Sequence, residues 1–158
     1  MRLSNRNKSS VYSFINTLLI IFLLAGTAAY FLEEYRFDIL GKESLVLILA
    51  PALLMLLFYL NGRQIFEYDS DGEALHFRNR NIIPFLQKPL SDEFPKYKLI
   101  KYEVIDLFFM KRLYITISSK NSGSTILKYE ISYLTRKETQ DLRFSLNKVV
   151  KTNNEKKS

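Results

Sequence analysis

Two long apolar runs dominate the pattern of hydrophobic and polar positions along the chain. Residues 14–32 contain no charged side chain, and residues 44–60 contain none either. A helix needs about 20 apolar residues, within a range of about 17–25, to cross the hydrocarbon core of a bilayer. The pattern therefore predicts a transmembrane hairpin over residues 11–60, with helices at about 12–32 and 44–60.

After residue 60 the apolar positions recur with a period of two, which is typical of strands that have one buried face. A strand at 64–68, a tight turn at 69–72 and a second strand at 73–78 form a predicted hairpin. Four further strands are predicted, at residues 82–88, 97–109, 113–118 and 125–133, with a loop at 89–95. The apolar face changes at Val104 and Ile105, which predicts a bulge in the long strand.

Residues 135–151 have the pattern of an amphipathic helix that closes this domain. Thr135 and Glu138 have the spacing of a capping box, in which each side chain binds the backbone amide of the other residue. One stripe of the helix is apolar and should face a sheet; it consists of Leu142, Leu146, Val149 and Val150. The domain is thus expected to cover residues 61–151, and the polar residues 152–158 predict a disordered tail.

The net charge of +7 is unevenly distributed along the chain. Residues 1–10, predicted to be a basic tail, carry Arg2, Arg6 and Lys8 and no acid, whereas residues 33–43 carry more acids than cations. Lys and Arg next to membrane spans favour the cytoplasmic side, because translocation of positive charge is disfavoured. These charges predict a multi-pass protein of the inner (cytoplasmic) membrane with both termini in the cytoplasm.

Two other interpretations of the same features are weaker. A secretory signal peptide would explain the basic start, the apolar run and the small residues Gly26, Ala28 and Ala29. However, the apolar run continues to Leu32, and a second apolar segment follows almost at once. Nucleic-acid binding would explain the positive charge, but the cations are scattered among acids, and a bilayer surface accounts for them equally well. We therefore expect no nucleic-acid partner.

The sequence contains no recognisable catalytic constellation. There is no cysteine, and the single histidine, His76, is predicted on the outward face of a strand. Asp69, Asp71 and Glu73 have a spacing that loosely matches a calcium loop, but they lack its later ligands and fit turn chemistry better. The five glycines are scattered, so no phosphate-binding loop is indicated. We expect no catalytic residue, no metal site and no cofactor, and predict that the protein is not an enzyme.

Two apolar segments flanked by cations are candidates for contact with lipid or with a partner, at residues 82–86 and 108–112. Apolar tips ringed by cations suit a headgroup surface, where each cation can add about 1 kcal/mol near anionic lipid. The alternative is that they are the core ends of strands beside solvated charges. The candidate binding residues are Arg63, Arg78, Arg80, Ile83, Phe85, Lys88, Phe109, Met110, Lys111 and Arg112.

The order of these elements resembles a bacterial pleckstrin-homology-like (PH-like) domain. The strands at 113–118 and 127–131 and the helix at 135–151 carry this resemblance, and the preceding hairpin is similar to that of small bacterial membrane proteins with such a domain. The resemblance implies a membrane α-helical hairpin plus a small α+β domain. In that domain a curled antiparallel sheet is closed by a C-terminal amphipathic helix, and the fold would bind lipids, peptides or proteins.

The function predicted from these features is a membrane-anchored, non-enzymatic scaffold or interaction module. Its expected partners are membrane lipids and another membrane or cytoplasmic protein, or a second copy of the chain. The alternative is a lipid-headgroup or ligand sensing module, and an enzyme or transporter subunit ranks third. A cavity lined by the cations Arg78, Arg80, Lys98 and Lys101 would favour sensing. An exposed apolar groove or sheet edge would favour the interaction module.

Overall fold

The computed structural model describes residues 1–37, 39–83, 88–107, 110–119 and 123–156. The chain divides into two compact units. The first is Ser10–Leu60, and the second combines Met1–Ser9 with Asn61–Ser158. The second unit therefore takes in chain segments from before and after the first.

The unit Ser10–Leu60 is helical. Its elements are α1 (Ser9–Leu32), a π-helical turn (Glu33–Phe37), a 3₁₀ turn (Gly41–Leu45) and α2 (Val46–Leu60). By length and composition, two helical stretches of the described residues could cross a membrane, namely Arg6–Phe37 and Gly41–Leu60. The two predicted apolar helices are thus present.

Close packing of α1 against α2 depends on small residues. A Cβ atom at Gly26 would overlap the carbonyl oxygen of Leu47 and come within 3.3 Å of the Pro51 side chain, so the backbones approach where only glycine fits. Nearer the other end of the pair, the Tyr59 hydroxyl donates a hydrogen bond to Asn16. In an apolar surrounding such pairing removes the cost of an unsatisfied polar group.

The second unit contains seven strands and one long helix within the described residues. They are β1 (Arg2–Ser4), β2 (Ile65–Asp69), β3 (Ala74–Arg80), β4 (Leu90–Pro95), β5 (Leu99–Leu107), β6 (Met110–Ser119), β7 (Gly123–Glu130) and α3 (Arg136–Glu155). One antiparallel sheet has the order β1-β2-β3-β4, and a second has the order β5-β6-β7. The predicted α+β layout is confirmed.

The predicted single curled sheet is wrong, because the strands are divided between two sheets. The break lies between β4 and β5. β4 ends at Pro95, which has no amide to donate to a ladder, and the chain then makes a 3₁₀ turn at Lys96–Lys98. β5 leaves this turn and pairs with β6 instead of joining β4.

Residues 1–10, predicted to be a basic tail, begin with a strand instead. β1 pairs antiparallel with β2, with Leu3 opposite Tyr68, and Leu3 is buried. The fully buried Asn5 then donates from Nδ2 to the Gln64 carbonyl and accepts at Oδ1 from the Phe66 amide, both at 2.8 Å. β1 has only three residues and one apolar side chain. The alternation of apolar and polar positions that is typical of strands therefore cannot be recognised there from the sequence.

β4 occupies residues predicted to be a loop. The predicted strand at 82–88 is a bend at Ile82 and Ile83, and its residues 84–87 lie outside the described residues. β4 is an edge strand whose polar side chains, including Ser91 and Glu93, obscure the alternation that ends in the buried Phe94. Polar residues are frequent at edges, so composition favoured a loop where the chain forms a strand.

The long strand also differs from its prediction. The register shifts between Leu99 and Lys101, whereas no shift occurs at the predicted site, Val104 and Ile105, in the described pairing. The apolar face changes at Ile105 because this residue and Leu107 lie on the outer, exposed face of the second sheet. β5 ends at Leu107 in the described residues, and β7 ends at Glu130 instead of residue 133.

α3 closes the core as predicted and extends further than predicted. The capping box is confirmed: Thr135 Oγ1 accepts from the Glu138 amide, and the Glu138 carboxylate accepts from the Thr135 amide. The helix continues to Glu155, through residues predicted to be a disordered tail. Asn153 explains the extension, because its Nδ2 donates to the carbonyl oxygens of Lys96 and Leu99 at 2.7 and 2.9 Å.

The core lies between the inner faces of the two sheets and α3. Aromatic rings from both sheets meet there, with Phe77 stacked on Tyr129 at 4.9 Å and on Phe94 at 5.7 Å between ring centroids. Leu113 and Ile115 face inward as predicted, and Leu142 and Leu146 of α3 belong to the same buried cluster. The buried stripe of the helix is therefore the one predicted.

Truncation of Leu142 or Leu146 to Ala should destabilise the domain by about 2–5 kcal/mol, because each side chain is fully buried. The matched control is Phe144→Ala on the same helix. Phe144 is 75% exposed, so the change should stay within about 0.5 kcal/mol. Thr135→Ala should cost about 1 kcal/mol through loss of the cap. Urea unfolding of the full chain in mild detergent gives these values. Equal effects at Leu142 and Phe144 would contradict the packing of α3.

Asn5→Ala tests the attachment of the N-terminal segment. The substitution leaves the Phe66 amide and the Gln64 carbonyl buried without partners, so it should cost about 2–4 kcal/mol. Asn7→Ala is the control, because Asn7 is exposed and should tolerate the change. The same urea experiment applies. If both variants unfold like the wild type, β1 is not held in the sheet by Asn5.

Candidate functional site

The structure spreads the ten predicted binding residues over several elements. Phe85 and Phe109 lie outside the described residues. Arg63 is only 14% exposed, and its guanidinium pairs with Glu130 at 3.2 Å. Most of the Arg63 side chain is therefore engaged inside the second unit instead of being free at its surface.

Some of the remaining predicted residues are partly buried, and others are exposed but lie apart from one another. Lys111, near the start of β6, pairs with Asp106 at 3.4 Å, and Arg112 and Met110 are partly buried beside it. Arg80 and Ile83 are also partly buried, while Lys88 and Arg78 are exposed. Three predicted residues, Met110, Lys111 and Arg112, are thus adjacent on β6, and Arg78 lies in the other sheet.

Arg78 lines a pocket of about 590 Å³ on the outer face of the first sheet. Cross-strand neighbours there alternate in charge: Arg2 opposes Asp69, and Glu67 opposes Arg78. Hydrogen bonds from the Asp71 amide and from Arg2 lower the pKa of Asp69. His76 lies on the same face with Nδ1 3.3 Å from a Glu93 carboxylate oxygen. Three arginines, Arg2, Arg6 and Arg78, line this polar pocket together with the acids Glu67 and Asp69, so its excess of positive charge is small.

A second pocket, of about 530 Å³, has a different character. It lies along α3 and is lined by two exposed aromatic rings, Phe144 and Tyr97, which are 75% and 68% exposed. We call it the α3 groove; its other lining residues include Val149, the cations Lys96, Lys148 and Lys156, and the acid Glu73. Large exposed aromatic side chains surrounded by cations are typical of a binding surface.

The α3 groove depends on one large apolar residue of α3 that lies outside the buried apolar stripe. Successive residues of a helix are 100° apart, so Phe144 is about 200° from Leu142 and faces away from the buried stripe. Lys148 follows one turn later on the same side. A phenylalanine off the apolar stripe was the sequence signal for this surface, and the predicted binding residues did not include it.

Buried polar contacts hold the walls of the groove in place. The Tyr68 hydroxyl and Ser145 Oγ are 2.9 Å apart, which ties α3 to β2, and burial raises the pKa of Tyr68. On the other wall, Asn153 binds the carbonyl oxygen of Lys96 at the turn that carries Tyr97. The aromatic rings are thus exposed, while these buried hydrogen bonds fix the backbone segments that carry them.

The lining of the groove combines two aromatic rings and three lysine ammonium groups with one acid and several uncharged polar side chains. Among the described residues, no group of three or more His, Cys, Asp or Glu side chains could hold a metal ion. Comparison of the chain with protein-family models, with curated proteins and with solved structures gives no match. The contacts described above are therefore the basis for a functional proposal.

Proposed function

We propose that the chain is a membrane-anchored, non-enzymatic interaction module of the cytoplasmic membrane. The observation that carries this proposal is the pairing of β1 with β2. β1 precedes the first apolar helix and β2 follows the second. A domain that contains both strands lies on one side of a bilayer only if the intervening chain crosses it an even number of times. Two crossings, by α1 and α2, satisfy this condition.

The distribution of charge supports the cytoplasmic side for the domain. Arg2, Arg6 and Lys8 belong to the second unit, and the segment between the helices carries more acids than cations. This bias agrees with retention of the positive ends in the cytoplasm. The signal-peptide interpretation loses support, because cleavage near Ala29 would remove β1 and both hydrogen bonds of Asn5.

A PH-like identity for the second unit is part of the proposal. Its support is the order of the elements: strands in two antiparallel sheets, followed by one long helix that covers the core. β4 supplies the strand that local pattern reading had assigned to a loop. In this interpretation α3 is the closing helix, and the α3 groove beside it is the surface open to a partner.

We propose an acidic, partly apolar segment of another protein as the occupant of the α3 groove. Charge complementarity is the argument, since three lysines line the groove against one acid, Glu73. Phe144 and Tyr97 supply the apolar anchors. A headgroup-sensing site built from Arg78, Arg80, Lys98 and Lys101 has less support, because only Arg78 of these four lines the pocket on the first sheet and Lys101 pairs with Glu103 at 3.0 Å.

Single cysteines test the proposed topology, and the absence of native cysteine makes each one the only thiol. Lys42→Cys, between the helices, should react with a membrane-impermeant thiol reagent in intact cells. Lys137→Cys, on α3, should react only after permeabilisation. Both native side chains are exposed, so access to the thiol is the only difference. Labelling of position 137 but not 42 in intact cells would reverse the proposed orientation.

A photo-crosslinking amino acid in place of Phe144 tests the partner. It should crosslink in cells to a protein segment of net negative charge, identified by mass spectrometry of the crosslinked peptide. Addition of Lys148→Glu should reduce the product several-fold, because it inverts a groove charge. The crosslinker at the exposed Lys137 of the same helix is the control. Crosslinks to lipid, to a second copy of the chain or to nothing at all would each refute the acidic partner.

A further inference from the structure

β7 is the last strand of the second sheet, so one side of its backbone pairs with β6 and the other side forms an edge. Ile131, which follows β7, shows which groups belong to which side, because its amide donates to the Lys111 carbonyl next to β6 at 2.9 Å. The backbone groups of successive strand residues point to alternate sides. The N–H and C=O groups of Glu130, Lys128 and Ile126 therefore point to the edge.

At Glu130 this edge already has a partner that imitates a strand. The Glu130 amide donates to Asn79 Oδ1 at 2.9 Å, and Asn79 Nδ2 donates to the Glu130 carbonyl oxygen at 3.0 Å. A side-chain amide carries the same kinds of donor and acceptor as a peptide group. Asn79 thus makes the two hydrogen bonds that a residue of a neighbouring strand would make. Asn79 is fully buried and also donates to the Ile65 carbonyl at 3.1 Å, so its position is fixed.

Further along the edge, Ile126 and Lys128 offer backbone groups that are not used. Within the described part of the chain, neither residue has a hydrogen bond beyond the pairing with β6, and Lys128 has no ion pair. Both side chains are exposed, Ile126 by 65%. A pocket of about 340 Å³ lies at this edge; its lining comprises Ile126, Leu127, Lys128 and Glu130, with Arg63, Leu90 and Asp92. We call the edge-side backbone of Ile126 and Lys128, together with this pocket, the β7 edge.

We propose that an extended segment of a partner protein pairs with the β7 edge as an additional strand. Main-chain hydrogen bonds give the affinity in this mode of recognition, and the unused groups of the β7 edge are peptide N–H and C=O groups. The two cations and two acids of the pocket balance, so the backbone and not the net charge selects the ligand. Leu90 and Leu127 favour apolar side chains on one face of the segment. An acidic side chain opposite Lys128 completes a cross-strand pair on the other face.

A partner segment fits the β7 edge better than β7 of a second copy does. Glu130 is the only acid in β7, and its edge-side groups are already bonded to Asn79. A second β7 therefore has no acid to place opposite Lys128, and in one register the two lysines oppose each other, which is destabilising. The β7 edge shares no lining residue with the α3 groove, so this inference goes beyond the proposed function and is tested separately.

The test uses the full chain in a neutral detergent and a short acetylated peptide of alternating valine and glutamate. Binding is followed by NMR titration, and amide hydrogen exchange is measured with and without the peptide. We expect saturable binding in which the exchange of the Ile126 and Lys128 amides slows several-fold or more, because both enter hydrogen bonds. The Leu127 amide faces β6 and is the internal control, since the peptide should not change its exchange.

Two N-methylated forms of the peptide test the geometry of binding. A strand that pairs along one side uses the N–H groups of alternate residues only. Methylation of the N–H groups that face β7 should abolish binding, and methylation of the other set should leave the affinity unchanged. This comparison needs no change in the protein, so it does not depend on the folding of any variant.

Variants of the β7 edge test the protein side of the contact. Ile126→Pro removes an edge-side N–H and leaves the pairing with β6 intact, a change that edge strands tolerate. It should weaken peptide binding several-fold more than its control, Ile126→Ala, which keeps the N–H. Lys128→Glu should weaken binding of the valine–glutamate peptide and strengthen binding of a valine–lysine peptide, each by several-fold.

Each other outcome overturns the proposal. No binding, or equal losses with both methylated peptides, would exclude pairing along the β7 edge. Slow exchange of the Ile126 and Lys128 amides without peptide would show that the chain itself or a second copy already covers the edge. Loss of binding in Lys148→Glu but not in Ile126→Pro would place the peptide in the α3 groove. That last result supports the proposed function while it refutes the β7 edge, so the two failures are distinct.

Discussion

The pairing of β1 with β2 is the interaction on which the rest of the structure depends. It brings Arg2–Ser4 into a sheet whose next strand begins at Ile65. Asn5 then forms two buried hydrogen bonds to the backbone of Gln64 and Phe66. Lys8 then binds Glu138 at 2.9 Å, which links the same segment to α3. Burial raises the pKa of Glu138, but hydrogen bonds from Thr135 and Lys8 outweigh this effect, and the pKa lies below its usual value. The second unit is therefore built from residues that precede α1 and residues that follow α2.

Features set by local repetition were predictable from sequence, and features set by distant partners were not. The apolar runs of α1 and α2, the alternation through Leu113 and Ile115 and the capping box at Thr135 each lie within a short window. β1 and β4 are different, because their strand character comes from β2 and β3, which supply the hydrogen bonds. A polar edge strand forms its hydrogen bonds to the neighbouring strand through backbone groups. Its side chains therefore need not show the alternation of apolar and polar residues.

The candidate sites show the same division. Arg63 was identified by its charge and its position beside apolar residues, but its ion pair is with Glu130, which is 67 residues away in the chain. No local pattern contains that contact. Phe144 is the opposite case, because its angular distance from Leu142 follows from helix geometry alone, and its 75% exposure is what that geometry predicts. The exposure of an apolar residue off the buried stripe can therefore be read from the sequence, whereas a distant ion pair cannot.

The proposed membrane anchor would lower the affinity that the α3 groove needs. A domain joined to a bilayer segment by only a few residues meets lipid headgroups, or a partner in the same membrane, at an effective concentration in the millimolar range. At that concentration a groove with two aromatic anchors and three lysines can work with modest intrinsic affinity.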